Sequence, residues 1–432
     1  MDITTKIALS MALVIALAMG GCVSEFSEPL PPRDALYYPI GMEMHPNGRF
    51  LYVVNSNFDL RYREEMGGTV SVIDTESGEI LGGASPYIPS FGGHIELNAD
   101  ATKAYVTSRQ GNEVTVLTVA EQGQALYCEV DGVPRANTEA CRMRRVPDIS
   151  GGARVPPDPF GIAVGQAQRT VGGEEINFDV VYLSHLRGDR RGEQVTAITL
   201  PEGDEIAGAS MRSATLLAGN KITRRPGSQD VYVAGRNTNR VGIFRPFIND
   251  VGEVEGIINR GSIELSRRQE TVDARGLDFD QDGDWLYVAT RQPNMLHMVG
   301  MEAGPDRTPR VVTSIPLEIR PSEVVSHLGA DGVQRIYVPS YRYGIIQVID
   351  AEQEAVVDVI DVGRSPYHLV MQEAPRNCQA PGERCLGYVS LFDARDDRER
   401  RCREDDRSCG KIAVLDLDPA SETFHTVIDT ID

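Results

Sequence analysis

The sequence has no apolar run long enough for a confident bilayer span. The longest near its start, Ile7 to Met19, is about a dozen residues, against the ~20 that a spanning helix needs. It also has no Gly-x-Ser-x-Gly elbow, no phosphate-binding loop and no His-Glu-x-x-His helix, so the local signatures of three common chemistries are missing. Catalysis assembled from separate segments stays open. Positive charge is short as well. The 432 residues carry 43 Lys and Arg against 63 Asp and Glu, a net charge of -20, which repels phosphate backbones and excludes a general nucleic-acid role. Lysine is scarcest: Lys6, Lys103, Lys221 and Lys411 are the only ones, a bias we read as compositional. No cysteine pair has the two-to-four-residue spacing of zinc ligands.

What is present begins with a targeting signal. Lys6 precedes the apolar run, and Gly20-Gly21-Cys22 follows it. A cationic start, a short apolar stretch and small residues before a cut site describe a secretory signal. Small residues directly before a cysteine resemble the bacterial lipoprotein processing box, with Met19 where Leu is usual. The resemblance implies a signal peptide over 1–21 and lipidation of Cys22. The Ser-, Glu- and Pro-rich segment that follows reads as a tether over 22–36. Val23 follows the cysteine, with no Asp to retain the protein at an inner membrane, so the outer membrane is the expected site. The alternative is an ordinary secretory peptide with an incidental cysteine.

Cysteine arithmetic agrees with export. Of 7 cysteines, setting Cys22 aside leaves three close pairs: Cys128 with Cys141, Cys378 with Cys385, and Cys402 with Cys409. Six cysteines allow 15 connectivities, and local spacing favours these three. Disulfides imply an oxidising compartment.

One pattern recurs through 37–432: a small-residue turn, a short apolar strand, a polar turn, a strand carrying a tyrosine, a polar loop, then an alternating strand. The tyrosine appears as Tyr52, Tyr105, Tyr182, Tyr232, Tyr287, Tyr337 and Tyr388, at separations of 53, 77, 50, 55, 50 and 51 residues. The strand after it alternates apolar with other residues, as in Val70-Ser71-Val72 and Ile346-Gln347-Val348. Units of about fifty residues with roughly four strands have the size of propeller blades. A single such sheet cannot bury both faces, whereas a ring of them does. We therefore expect an all-β, seven-bladed β-propeller of four-stranded antiparallel blades. The last blade ends at the outer-strand phase, Phe424 to Asp429, so each blade should be one contiguous repeat.

Tyr52-Val53-Val54-Asn55 and Tyr105-Val106-Thr107-Ser108 resemble the Tyr-Val-Thr-Asn family of β-propeller repeats. Asp158-Pro159-Phe160-Gly161 and Val362-Gly363-Arg364-Ser365-Pro366 match that family's repeat junction. The resemblance spans about residues 37 to 432. It implies a fold more than a function, because such propellers serve as surface-layer, binding and occasionally enzymatic proteins.

The repeat register also predicts a site. Ligands on propellers usually meet the face carrying the loops into the inner strands and the loops between the second and third strands. The residues entering the inner strands are Gly41, His94, Gly161, Lys221, Gly276, Glu323 and His368, and the polar four should cluster at the channel mouth. Four residues after each repeat tyrosine come Ser56, Arg109, Leu186, Arg236, Arg291, Tyr341 and Phe392; one further come Asn57, Gln110, Arg187, Asn237, Gln292, Arg342 and Asp393. Five arginines in these two sets suggest an anion site, or else solvated loop cations. His94 and His368, with Glu323, could hold a metal if they converge. Asp278, Asp280 and Asp282 resemble the opening of a calcium loop, but Ala289 stands where its bidentate Glu belongs, and Asp282-Gly283 also fits a hairpin turn. Two insertions, 120–157 and 393–411, break the repeat and carry cysteines.

The expected function is an envelope-anchored binding or scaffold propeller, meeting a protein or a small anionic ligand at its funnel rim. The alternatives are a lactonase-like hydrolase using His94, Glu323 and His368, and a structural envelope component.

Overall fold

The structure, a computed structural model, describes residues 29–130, 133–135, 157–171, 174–186, 194–199, 207–211, 218–268, 271–372, 378, 380, 382–394 and 409–432. The chain forms seven antiparallel sheets, each made of consecutive strands. The inner strands are Pro39–Met44, Gly92–Leu97, Pro159–Val171, Gly219–Arg224, Ala274–Phe279, Val325–Leu328 and Pro366–Met371. Among the described residues, five blades have four strands, and blades one and two have a fifth. In blade one the outer position is split between Glu79–Ile80 and Tyr87–Ile88, both paired to Gly68–Asp74. The last strand, Thr426–Ile431, belongs to the blade that begins at Pro366, so no strand is borrowed across the closure.

The repeat tyrosine lies on the second strand of each blade and is never more than 3% exposed. Its ring fills the space between neighbouring sheets, and where it donates a hydrogen bond the acceptor is in the following blade. Tyr52 reaches the Gly123 carbonyl at 2.7 Å, and Tyr105 reaches Asp179 Oδ2 at 2.6 Å. A buried hydroxyl needs such a partner, which fixes the ring's direction as well as its burial.

A second contact joins blades nearer the axis. The Thr107 hydroxyl donates to the Phe160 carbonyl at 2.6 Å, and Ser184 donates to the Asn220 carbonyl at 2.8 Å. At the seam between blades seven and one, Ser390 donates to the Ile40 carbonyl at 3.1 Å. The ring thus closes with the same bond that joins its internal blades.

The Cys378–Cys385 disulfide is formed, with Cα atoms 4.6 Å apart, between the first two strands of blade seven. Cys128 and Cys409 are also disulfide-bonded. Their expected partners Cys141 and Cys402, the lipid-bearing Cys22, and most of both insertions lie outside the described residues.

Candidate functional site

The site is built by a backbone device that repeats in all seven blades. Just before each inner strand stands a residue with positive φ: Tyr38, Phe91, Asp158, Ala218, Asp273, Arg320 and Ser365, at 49° to 65°. None is glycine, so each adopts a left-handed conformation that side chains disfavour. Its carbonyl is turned to accept the amide of the residue four after the repeat tyrosine. These seven bonds, to Ser56, Arg109, Leu186, Arg236, Arg291, Tyr341 and Phe392, measure 3.0–3.2 Å. The clasp binds the two loop sets of one face together and aims seven equivalent side chains at one space.

All seven line a single cavity of about 260 Å³ on that face. Arg109, Arg236 and Arg291 therefore stand where the register predicts. Arg342, one residue further along its loop, is exposed and does not line the cavity. One step along the chain turns its side chain away from this cavity. Arg187 lies outside the described residues. Two arginines that the register did not single out, Arg275 and Arg320, complete the lining. Arg275 directly precedes Gly276 on the inner strand, and Arg320 occupies the clasp position itself.

Carboxylates are fewer than arginines here. Arg109 Nε donates to Asp158 Oδ1 at 3.0 Å and lies over the Phe91 ring at 5.7 Å. Asp273 serves two cations: Arg275 Nε is 2.9 Å from it, and Arg236 Nε is 3.9 Å away. Arg236 Nε is buried without a hydrogen-bond partner. Arg291 Nε donates to the Pro321 carbonyl at 2.8 Å rather than to an acid. Burial and then the neighbouring Arg275 depress both Arg236 and Arg291, the latter to about 10. Like charges crowded in a partly dry site disfavour each other, and an incoming anion would relieve them.

Beneath this layer the axial residues converge. His94, Glu323 and His368, from blades two, six and seven, bring one ligand atom each to within 4.8 Å of the others. All three are buried, and none lines the cavity. In the repeat register they lie one position after the cavity-lining Phe160, Asn220, Arg275 and Tyr367. Glycine at Gly276 permits the convergence, since a Cβ there would lie 2.5 Å from the Glu323 carbonyl carbon. The rings of His94 and His368 are 5.4 Å apart, edge to face.

Lys221 completes the group, its Nζ 3.4 Å from Glu323 Oε2, while His368 Nε2 is 3.9 Å from the same oxygen. Burial opposes the Lys221 ammonium, but Glu323, Glu96 and Asp278 outweigh it and hold its pKa high. Burial and the Lys221 charge push both histidines well below their usual value, so they are neutral near pH 7. Two neutral imidazoles and a carboxylate are a plausible zinc donor set. The lysine, however, already supplies the cation that Glu323 faces.

The calcium-like run divides between two tasks. Asp278 sits on the inner strand, and its Oδ2 accepts the Ser326 amide at 2.9 Å. Asp280 Oδ1 accepts the Asp284 and Trp285 amides at 2.8 and 3.0 Å, closing the hairpin turn. Among the described residues, Asp278, Asp280 and Asp282 do not form a converging metal-ligand group.

Comparison with solved structures finds propellers of low identity. The chain is similar to the Cps50 (Swd1) β-propeller domain of Myceliophteria thermophila, at 11% identity over 83% of this chain and 95% of that one, TM-score 0.51. It is similar to Kuenenia stuttgartiensis hydrazine synthase at 12% identity over 83% of this chain and 93% of that one, TM-score 0.51. These likenesses show the fold alone. Dihydro-heme d1 dehydrogenase NirN in complex with DHE follows at 14% identity over 90% of this chain, TM-score 0.47, and this chain spans 64% of that chain's length. No family model matches the sequence. No curated protein matches it either.

Proposed function

We propose that this chain is a binding propeller of the bacterial envelope, held by a lipid on Cys22, whose funnel takes up a small organic anion. One observation carries the reading: Arg109, Arg236, Arg275, Arg291 and Arg320 line one cavity in a chain whose net charge is -20. Cations gathered in a concave, partly dry site against the sign of the whole molecule focus field onto an anionic guest. The lipoprotein-like leader and the Tyr-Val-Thr-Asn-like repeats support an envelope setting, with the outer membrane favoured.

The hydrolase reading draws on the convergence of His94, Glu323 and His368. Against it, these groups lie outside the cavity and Glu323 is matched by Lys221. A purely structural role would leave the arginine-lined funnel without a task.

The test is thermal unfolding of the full chain across a panel of organic anions. Binding to the folded state alone at a hundred times Kd adds about 2.7 kcal/mol of stability. Stabilisation by anions but not by matched neutral compounds, lost in Arg291→Met, is the expected result. No response to any anion would overturn the reading. Anchoring is tested separately: fatty-acid labelling in cells should mark the wild-type protein and not Cys22→Ala.

A further inference from the structure

The cavity has two chemically different walls. Four of its arginines come from blades four, five and six: Arg236, Arg275, Arg291 and Arg320. Asp273 is the acid that Arg236 and Arg275 share, so this wall carries excess positive charge. The opposite side, from blades seven, one and two, is mainly aromatic, and its one arginine, Arg109, is paired with Asp158 and lies over the Phe91 ring. Phe392 is its hub, with ring centroids 5.2 Å from Tyr38, 5.4 Å from Phe58 and 6.3 Å from Tyr367. Phe58 extends the wall to Phe91 at 6.1 Å. Phe58 is 54% exposed, so part of this wall is open to solvent.

We infer that the ligand of this funnel is a small aromatic carboxylate, its ring against the Phe58–Phe392 wall and its carboxylate among Arg236, Arg275 and Arg291. This deepens the anion-binding reading and rests on it. An inorganic anion would use the arginines and leave the aromatic wall wet. An apolar guest would leave the arginines crowded. A molecule with both ends satisfies both walls, and the opposition of the walls fixes which way round it lies. Ring-on-ring contact is directional, preferring offset or edge-to-face placement at centroid separations of about 4.5–7 Å, the spacing these side chains already keep among themselves. The arginine forks match carboxylate geometry in pairs. Size limits the guest: about 260 Å³ lies just below the usual range for a ligand pocket, and suits one ring with one or two carboxylates. The surplus of arginine over Asp273 favours two.

The experiment is calorimetric titration of the full chain with benzene-1,3-dicarboxylate, with adipate as an aliphatic diacid, and with inorganic phosphate. The aromatic diacid should bind about tenfold or more tighter than adipate. Replacing Phe58 and Phe392 together with Leu should weaken the aromatic diacid more than adipate and so erase that preference. Arg291→Met and Arg275→Met should each weaken both diacids about tenfold, and Arg291→Lys, which keeps the charge and loses the fork, should weaken them less. Thermal melts of each variant separate lost binding from lost folding. Equal binding of the two diacids, or tighter binding of phosphate, would overturn the aromatic assignment while the anion reading stood. Failure of all three anions to bind would overturn both.

Discussion

Lys221 of blade four and Glu323 of blade six meet, Nζ to Oε2, at 3.4 Å. The blade between them contributes Gly276 at the same position, and its missing side chain is what lets the pair approach. Glu323 is 2% exposed, so its charge has no route to bulk water. Breaking a buried pair from one side leaves an uncompensated charge, at a typical cost of about 3–5 kcal/mol. Lys221→Met should therefore destabilise the fold by roughly that amount at pH 8. At pH 5 the stranded carboxyl can protonate, and the loss should be smaller. Denaturant unfolding at the two pH values measures both.

The same lysine bears on metal binding. In the wild-type protein a divalent ion among His94, Glu323 and His368 would sit beside the Lys221 charge. After dialysis against zinc, elemental analysis should find stoichiometric metal in Lys221→Met and little in the wild type. Metal retained by the wild type and lost in the His94→Ala/His368→Ala double variant would reverse this and return weight to the hydrolase reading.

Stability should fall as pH rises through neutrality. Glu43 and Asp278 occupy one register position, opposite the repeat tyrosines of blades one and five. Burial pushes Glu43 up to about 8 and Asp278 to about 7. Between their unfolded values, near 4, and these folded values, the native state binds more protons than the unfolded chain. The sign is then fixed: the stability these two carboxyls contribute falls as pH rises above their unfolded values and levels off only above about pH 8, once Glu43 is ionised in both states. Glu43→Gln should flatten the upper part of that decline, read from melting temperatures between pH 5 and 9.

The ring seam should be no weaker than its other joints. Ser390 bonds blade seven to Ile40 of blade one as Ser184 bonds blade three to Asn220 of blade four. Ser390→Ala and Ser184→Ala should each cost about 1–2 kcal/mol, because each leaves a buried carbonyl short of its donor. A much larger loss for Ser390→Ala would mark the seam as the fold's vulnerable joint.

The periodic part of the molecule was readable from sequence because it is written in strand alternation and a fixed tyrosine. Counting four residues on from Tyr105, Tyr232 and Tyr287 reaches Arg109, Arg236 and Arg291, all in the cavity. Counting five from Tyr337 reaches Arg342, outside it, since a loop reverses side-chain direction in a single residue. Arg275 and Arg320 were missed for a different reason. Their placement depends on the left-handed clasp residue before each inner strand, and those seven positions share a backbone conformation but no residue type. The aromatic wall was equally hidden, because Phe58, Tyr38 and Phe392 gather only where blade seven returns to blade one. Asp278 and Asp280 show local likeness to a calcium loop, but a strand places one and the hairpin turn, the other reading the sequence offers, uses the other.

The segment ahead of the first blade joins the ring on a particular side. Leu36 accepts the Cys409 amide at 2.9 Å, and the Pro29 carbonyl accepts the Arg63 amide at 3.3 Å. Both donors lie in loops between second and third strands, on the cavity face. Seven residue steps separate Pro29 from Cys22, a reach of at most ~25 Å when fully extended. With a lipid on Cys22, the protein would be leashed by its open side, the funnel turned toward the bilayer and the Cys378–Cys385 loop of blade seven turned away. A guest would then come to it through the thin layer of water beside the membrane.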